Sequence, residues 1–500
     1  MAAAHVDVLI IGAGVSGIGA ACHLTRQSPN KTYAILERRQ RIGGTWDLFR
    51  YPGIRSDSDM YTFGFNFKPW NETKVLADGT SIRNYVAETA SEYGVDEHIT
   101  FGRKVTKASW STAEGCWSVE SLDEASGERH RMTATIVLAC TGYYDYDGGY
   151  RPDFPGENRF AGPVVHPQHW PSDLDYAGKR VVIIGSGATA VTLVPAMAET
   201  AGHVTMLQRS PSYIVWLPAV DKISAGLAKV LPASVVYKLA RARNIGIQRA
   251  TYALARSRPG LVRGALAKAA QRQLGGSSDM ANFTPKYGPW DQRLCVVPDG
   301  DLFKMIRSGK ADIVTDNITT FTEKGIELES GAELEADIIV TATGLQVQML
   351  GGAVMEIDGK PLVLNHTVTY KGVLVEGVPN AAMVFGYTNA SWTLKADIAA
   401  EYACRLINHM DEHGYTQFVV HATDADRGPE SVLSTLNSGY VRRGNDRLPR
   451  QGTNGPWKVN NSYLRDLPLL RRGAIEDGVL QFSSGAPARP APRARNRTSA

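Results

Sequence analysis

The sequence is poor in cysteine and lacks any long hydrophobic run. Its 500 residues contain five cysteines and no C-x-x-C pair: Cys22, Cys116, Cys140, Cys295 and Cys404. This scarcity argues against a disulfide framework, a zinc site and a dithiol redox centre, so we expect a reducing cytoplasm and no bound metal. No segment approaches the roughly 18–20 consecutive apolar residues that span a bilayer, which excludes an integral membrane protein as the expected class.

The sequence also carries little net charge. Its 54 Lys and Arg residues against 50 Asp and Glu leave a formal charge of +4, which is too small to indicate nucleic acid as a partner. The hydrophobic share of 43% and the charged share of 21% are typical of globular proteins. A chain of this length can bury a large core, and we expect two or three lobes.

Two βαβ units, each built around a glycine loop, are the main features that the sequence does contain. For the first we predict a strand over residues 6–11, a helix over 15–24 and a strand over 32–36. The loop at 12–17, Gly-Ala-Gly-Val-Ser-Gly, fits G-x-G-x-x-G, whose glycines permit a tight turn, backbone approach to a pyrophosphate and close helix packing. A carboxylate after the second strand accepts hydrogen bonds from ribose hydroxyls. The unit therefore predicts a dinucleotide site that includes Gly12, Gly14, Ser16, Gly17 and Glu37.

A further glycine pair follows the first unit. Gly43 and Gly44 allow a second backbone approach to the bound dinucleotide. This favours FAD over NAD, because FAD is long and needs more than one loop to hold it. We expect Gly44, Thr45 and Trp46 to contact FAD.

The second unit has strands predicted at 180–184 and 204–208 and a helix at 188–198. Its loop fits G-x-G-x-x-A, and an arginine rather than a carboxylate follows its second strand. A guanidinium grips a 2′-phosphate bidentately, whereas an acid repels it, so the unit predicts NADPH. The expected contacts are Gly185, Ser186, Gly187, Thr189, Ala190, Arg209 and Ser210. In the alternative interpretation, Arg209 is an ordinary surface residue and the loop binds NADH or nothing.

The predicted fold class is therefore α/β, with two Rossmann-like dinucleotide-binding domains, for FAD and NADPH, and a helical insertion. We expect a discontinuous FAD-binding domain formed by residues 1–149 and 321–482. The NADPH-binding domain then covers 150–320 and includes the insert at 213–289. Residues 483–500, rich in Pro, Ala and Arg, predict a disordered tail.

The insert has a strong charge bias. Residues 222–276 contain eleven Lys and Arg and no Asp or Glu, and Pro232 and Pro259-Gly260 predict breaks between helices. Two interpretations stay open. The insert forms either a solvated basic face over a helical lid, or a weak peripheral contact with an anionic membrane surface or a partner.

A further motif lies between the two units. Residues 160–171 fit F-x-G-x-x-x-H-x-x-x-W-P, with His166 and Trp170 at the fixed positions. The motif resembles the fingerprint of the Baeyer–Villiger flavin monooxygenases, whereas related N- and S-monooxygenases usually carry Tyr or Phe in place of Trp170. Residues 43–57 and 388–397 are similar to the same family, and the resemblance runs from residue 6 to about 482. For His166 it implies a structural role between the lobes.

The resemblance implies a reaction. NADPH reduces FAD, O2 then forms a peroxide at flavin C4a, and attack on a small ketone yields an ester or lactone. S-oxygenation of sulfides or thioamides is expected beside it. The alternative is a flavin-containing N- or S-monooxygenase that acts only on soft nucleophiles. The oligomeric state is not indicated.

The resemblance also assigns two catalytic residues. Arg293 matches the arginine that stabilises the anionic peroxide, and Asp57 matches an acid beside the flavin that holds this guanidinium. Gln292 stands where many members carry lysine, which leaves more of the NADPH phosphate to Arg209. In the alternatives, Arg293 forms a structural ion pair and Asp57 caps a local turn that also contains Asp59.

Overall fold

Short β-branched runs alternate with segments of helical period along the chain, and they form layered sheets and helices. The computed structural model describes residues 4–485. Within them lie twelve α-helices: α1 Val15–Gln27, α2 Thr45–Leu48, α3 Met60–Phe63, α4 Gly79–Glu92, α5 Ala188–Met197, α6 Lys222–Leu227, α7 Ala233–Ser257, α8 Pro259–Leu274, α9 Asp301–Arg307, α10 Trp392–His413, α11 Gly439–Gly444 and α12 Tyr463–Arg472. None of these helices is both long enough and apolar enough to pass through a bilayer.

The same residues form 25 strands. The first fifteen are β1 Ala4–Ile11, β2 Tyr33–Leu36, β3 Ile99–Thr100, β4 Lys104–Ser111, β5 Cys116–Leu122, β6 Arg129–Ala139, β7 Val164–Val165, β8 Arg180–Ile184, β9 His203–Gln208, β10 Ile214–Leu217, β11 Cys295–Pro298, β12 Ala311–Thr315, β13 Ile318–Phe321, β14 Gly325–Leu328 and β15 Glu333–Glu335. The others are β16 Ile338–Thr341, β17 Val354–Ile357, β18 Lys360–Pro361, β19 Val368–Tyr370, β20 Leu374–Val375, β21 Ala381–Met383, β22 Gln417–Val420, β23 Arg427–Ser431, β24 Arg450–Gly452 and β25 Leu480–Ser483.

The larger sheet has nine strands in the order β18-β17-β4-β5-β6-β1-β2-β3, with β21 also paired to β6. Strand β1 lies in its middle, parallel to both β2 and β6, so that Leu9 faces Ala34 on one side and Val137 on the other. Strands buried on both faces are apolar throughout, and Leu9 and Ile10 are fully buried. The first glycine loop leaves the carboxyl end of β1, where open α/β sheets bind ligands.

The second sheet has five parallel strands in the order β12-β9-β8-β16-β7. Strand β8 lies between β9 and β16, and the second glycine loop follows it. Because β16 pairs with β8 along residues 338–341, this stretch belongs with the second lobe, although the sequence prediction returned the chain to the first lobe at 321. The domain limits stay a prediction, and the pairing moves the proposed return to just after Thr341.

The insert contains α6, α7 and α8. Pro232 directly precedes α7, and Pro259 is the first residue of α8, as a ring that fixes φ and lacks an N–H allows. The α-helices of the insert lie between residues 222 and 274, whereas the helical insert was predicted to span 213–289. At its start the chain instead forms β10, which pairs with β11. The disordered tail predicted from residue 483 begins one residue too early, because Ser483 still ends β25; residues 486–500 of the predicted tail lie outside the described part.

Candidate active site

A cavity of about 310 Å³ lies between the two lobes. From the first lobe it is lined by the glycine loop and by residues 43–46, 55–58 and 140–144. From the second lobe it is lined by Ala188, Thr192 and Arg293. A concave site between domains, where apolar walls surround a few polar groups, is the usual place for a cofactor and its substrate.

The predicted site residues divide into two groups around this cavity. Those that line it are Gly12, Gly14, Ser16, Glu37, Gly44, Thr45, Trp46, Asp57 and Arg293, whereas Gly17 is buried in α1 behind this lining. The residues of the second glycine loop, with Arg209 and Ser210, are not part of this lining. They lie at the carboxyl ends of β8 and β9, and Ala188 and Thr192 of α5 connect them to the cavity wall. The structure thus brings the predicted FAD contacts together with both catalytic candidates.

Backbone contacts explain the glycines of the first loop. A Cβ on Gly17 would lie 1.8 Å from the carbonyl oxygen of Gly12, so α1 can pack this closely only with glycine. Gly44 has a φ of 55°, and a Cβ there would lie 3.0 Å from the Cα of Gly14. The two glycine segments therefore face each other across a bare backbone cradle. This cradle fits a pyrophosphate at the N-terminus of α1, where N–H groups are free.

Glu37 is held by two backbone donors. Its carboxylate accepts hydrogen bonds from the N–H of Ala13 at 2.6 Å and of Arg39 at 2.7 Å. The residue is only 4% exposed, and burial raises the pKa of the carboxyl group, opposed by these backbone hydrogen bonds. A carboxylate has about four acceptor sites, so two remain for ribose hydroxyls.

Aromatic side chains close the cavity near the first loop. The indole N–H of Trp392, the first residue of α10, donates to the Oγ of Ser16 at 2.7 Å. Trp392 also stacks on Tyr143, with ring centroids 5.3 Å apart and planes inclined by 12°. Trp46 meets Phe63 edge to face at 5.7 Å. These contacts tie α10, α2 and α3 to the cavity and leave its wall largely apolar.

The second glycine loop repeats the first in its packing. A Cβ on Gly185 would lie 2.4 Å from the carbonyl oxygen of Ala342, whereas one on Gly187 would meet nothing within 4 Å. The bare side of Gly187 is thus an open approach to the start of α5, as a second pyrophosphate requires. Ser212 donates its hydroxyl to Ser186 at 3.1 Å, and Ala190 is fully buried against the strand.

Arg209 follows directly after β9. Its side chain is exposed, and it forms no ion pair with any carboxylate in the described chain, residues 4–485. An available guanidinium at the end of the second strand of a βαβ unit fits a 2′-phosphate.

A short loop from the insert side presents Arg293 to the cavity. Trp290 adopts a φ of 67°, which bends the chain, and Asp291 accepts hydrogen bonds from the N–H of Gly288 and from Arg256, both at 2.8 Å. The Arg293 side chain is exposed, and it lies in the cavity lining. It has no ion pair or side-chain hydrogen bond within residues 4–485, so five donors are available to an anion.

Three tyrosines that were not predicted from the sequence lie near Arg293. The phenol groups of Tyr143, Tyr440 and Tyr144, with the nearby Asp57, raise the pKa of Arg293, so its charge persists at every ordinary pH. The hydroxyls of Tyr143 and Tyr144 are 2.7 Å apart. Their position directly after Thr141-Gly142, at the end of β6, was a usable signal. Tyr440 comes from distant sequence and offered none.

Asp57 lies in the cavity wall. Burial raises the pKa of its carboxyl group to about 6, although the cations Arg55 and Arg293 act to lower it. The local cap is Asp59 instead, which precedes α3 and accepts the N–H of Thr62 at 3.1 Å. The structure therefore separates the two acids of the Ser-Asp-Ser-Asp turn: Asp59 caps a helix and Asp57 faces the cavity.

His166 lies where the chain passes between the lobes. Its Nδ1 accepts the N–H of Gln168 at 3.2 Å, and its ring packs so closely on Gly149 that a Cβ there would lie 2.0 Å away. Beside it, the N–H of Tyr150 donates to the carbonyl of Gly344 at 2.9 Å. His166 is not part of the cavity lining, which fits a structural role at the crossing.

Comparison with known proteins adds to this geometry. The model of the flavin-binding monooxygenase-like family matches residues 5–408. MymA of Mycobacterium tuberculosis is 59% identical over 486 residues, 96% of this chain and 98% of that protein. The FAD-containing monooxygenase EthA of the same species is 52% identical over 490 residues, 98% of this chain and 99% of that protein.

Solved structures share the fold. A steroid monooxygenase bound to NADP superposes with a TM-score of 0.73 at 21% identity, and cyclohexanone monooxygenase with 0.72 at 20%; each match covers 96% of this chain and 100% of the other. These likenesses confirm the predicted α/β fold with two dinucleotide-binding lobes. Together with the match over most of the sequence, they lead to one conclusion: the chain belongs to the flavin-binding monooxygenase-like family.

Proposed function

We propose that the protein is an FAD- and NADPH-dependent monooxygenase that converts small ketones to esters or lactones by Baeyer–Villiger oxidation and also S-oxygenates sulfides or thioamides. The observation that carries this proposal is Arg293, a cation without a protein partner in residues 4–485, which faces the cavity between two dinucleotide cradles. The relative EthA is named as an FAD-containing monooxygenase. OTEMO, a protein whose solved structure shares this fold, was crystallised in complex with FAD and NADP.

The first lobe binds FAD in this proposal. The cradle of Gly12, Gly14, Gly17 and Gly44 admits the pyrophosphate, and the two available acceptor sites of Glu37 take the ribose hydroxyls. Ser16 is oriented by Trp392, and Thr45 and Trp46 line the same wall. When bound, FAD reduced by NADPH supplies the electrons that activate O2.

The second lobe binds NADPH. The open side of Gly187, with Gly185, Ser186, Thr189 and Ala190 around it, receives the pyrophosphate at the start of α5. Arg209 and Ser210 receive the 2′-phosphate. With Gln292 beside Arg293 in place of a lysine, Arg209 carries most of the selectivity for NADPH over NADH.

Arg293 and Asp57 act on the reacting atoms. The guanidinium stabilises negative charge that develops on oxygen, and this interaction is strong where protein rather than water surrounds it; Tyr143 and Tyr144 contribute aromatic rings to the same wall. With a pKa of about 6, the Asp57 carboxyl is mainly ionised at pH 7 and gains a proton in mild acid. The carboxylate orients the Arg293 side chain, and protonation removes that attraction.

The test is product analysis with 18O2, NADPH and a mixture of ketones and sulfides. We expect label in an ester or lactone and in a sulfoxide. Arg293→Ala abolishes the ester, while Arg131→Ala, on the exposed face of β6, changes nothing. Sulfoxide without ester in the wild type contradicts the Baeyer–Villiger assignment and supports the N- or S-monooxygenase. Hydrogen peroxide as the only product contradicts both.

We also propose a cytoplasmic location with weak peripheral contact through the basic insert. The cysteines Cys22, Cys140, Cys295 and Cys404 are buried free thiols, which suits a reducing compartment. The insert retains its charge bias in the structure, because most of its Lys and Arg side chains are exposed.

A further inference from the structure

The helix α7 carries an exposed apolar stripe. Six of its exposed positions follow one line at helical spacing and are all apolar: Val235, Leu239, Ala242, Gly246, Ala250 and Ala253. Exposed basic residues such as Lys238 and Arg256 lie beside them. A surface helix ordinarily turns its apolar stripe toward the core and its polar residues toward water. Ten of the 13 large exposed hydrophobic residues in the described chain lie between residues 216 and 261. Isolated exposed hydrophobics need no explanation, but this concentration marks an interaction surface.

The opposite face of α7 packs on the protein through Val236, Tyr237 and Ala240 and is held there by polar side chains. Arg241, 8% exposed, donates to the carbonyl oxygens of Tyr61 at 2.8 Å and Gly64 at 2.7 Å. Asn244 donates to Asp59 at 2.8 Å. These hydrogen bonds fix which face of α7 points outward, so its apolar stripe cannot turn inward by rotation of the helix.

The charge around this stripe selects the occupant. Six Lys and Arg of the insert form neither an ion pair nor a side-chain hydrogen bond within residues 4–485: Lys222, Lys229, Lys238, Arg258, Lys268 and Arg272. Lys238 lies on α7 beside Leu239, and Lys222 and Lys229 adjoin Ile223 and Val230, which are 64% and 78% exposed. An apolar stripe flanked by cations is typical of helices that lie in the plane of a membrane interface. A second copy of the chain would bring two such basic faces together, which like charges oppose.

We infer that the outward faces of α6 and α7 form a docking face for an anionic lipid bilayer, hereafter the lipid face. This inference rests on the peripheral contact proposed above and names the surface that makes it. The apolar stripe lies among the acyl chains just below the headgroups, while the unpaired cations bind anionic headgroups. At 25 residues, α7 extends about 37 Å along the interface.

The lipid face lies close to the cavity. The inner side of α7 holds α3, whose Phe63 lines the cavity. Its carboxyl-terminal half supports the Arg293 loop, through the ion pair of Arg256 with Asp291 at 2.8 Å and the edge-to-face contact of Tyr252 with Trp290 at 6.1 Å. A bilayer on the lipid face would thus lie across α7 from elements that line the cavity, and apolar substrates dissolved in lipid are the class best placed to enter.

The experiment is sedimentation of the holoprotein with phosphatidylcholine vesicles, with or without phosphatidylglycerol. We expect binding to the anionic vesicles that weakens with added NaCl. Because each basic residue near an anionic surface strengthens binding by about fivefold, K229E/K238E should weaken it at least tenfold. The pair V235E/L239E should weaken it at least as much by burying charge in place of apolar surface. The matched control is Val363→Glu, since Val363 is 50% exposed but lies outside the insert.

Three results would overturn the inference: wild-type protein that ignores anionic vesicles, V235E/L239E that binds as tightly as wild type, or a dimer in sedimentation velocity that only V235E/L239E dissociates. Flavin absorbance and NADPH oxidation with a water-soluble ketone serve as the fold and activity controls. They should stay unchanged in both variants. A wild type that oxidises the ketone but does not bind anionic vesicles therefore rejects the lipid face alone, whereas a wild type that binds these vesicles without oxygenating the ketone rejects the proposed function alone.

Discussion

Asp57→Asn should stabilise the apoprotein at neutral pH. Burial raises the pKa of this carboxyl from an ordinary 3.8 to about 6, so the folded state binds the proton more tightly than the unfolded state. Stability therefore falls as the pH rises from about 4 to about 6 and stays lower above that range. At about 1.4 kcal/mol for each factor of ten in proton affinity, ionised Asp57 costs the folded apoprotein up to about 3 kcal/mol at pH 7.5.

The assay is urea unfolding of the flavin-free wild type and Asp57→Asn at two pH values. We expect the variant to be more stable by up to about 3 kcal/mol at pH 7.5 and by only about 1 kcal/mol at pH 4.5, where the wild-type carboxyl is largely protonated. Asp153→Asn, at an exposed aspartate, should show no such difference. A variant that is less stable than wild type at pH 7.5, or equally stabilised at both pH values, would refute the reasoning, since the cost would then not be one of ionisation.

Three other changes test the cofactor sites and the core. Arg209→Ala should raise KM for NADPH about tenfold to 100-fold and leave KM for NADH nearly unchanged, because charge-assisted hydrogen bonds to the 2′-phosphate contribute about 1.5–3 kcal/mol; equal effects on both would contradict the assignment. Gly17→Ala should yield protein without bound flavin, measured by absorbance, because its Cβ would overlap the Gly12 carbonyl at 1.8 Å. Lys395→Met should lower unfolding free energy by about 3–5 kcal/mol in urea, since it leaves buried Asp466 without the partner now 3.0 Å away, and Lys395→Met with Asp466→Leu should recover part of that loss.

Much of the cofactor chemistry could be predicted from local sequence. A βαβ unit sets the distance from the glycine loop to the end of the second strand, so Glu37 and Arg209 could each be assigned from position alone. The strands and helices of both units also fall within a few residues of their predicted limits. The return predicted at 321 stays a prediction, and a return after Thr341 is proposed in its place because β16 follows three locally paired strands and yet pairs with β8, a contact of long sequence separation.

The tertiary structure alone decided the environment of each functional group. The sequence alone predicted two glycine loops for phosphate, one followed by a carboxylate and the other by a guanidinium. It also predicted a basic insert and the candidate Arg293. These features depend only on residue type and short spacing. The sequence could not determine that Tyr440 reaches Arg293, that Asp57 rather than Asp59 faces the cavity, or that α7 turns its apolar stripe outward. Proton affinity and exposure depend on what packs around a side chain, and that packing joins residues hundreds of positions apart.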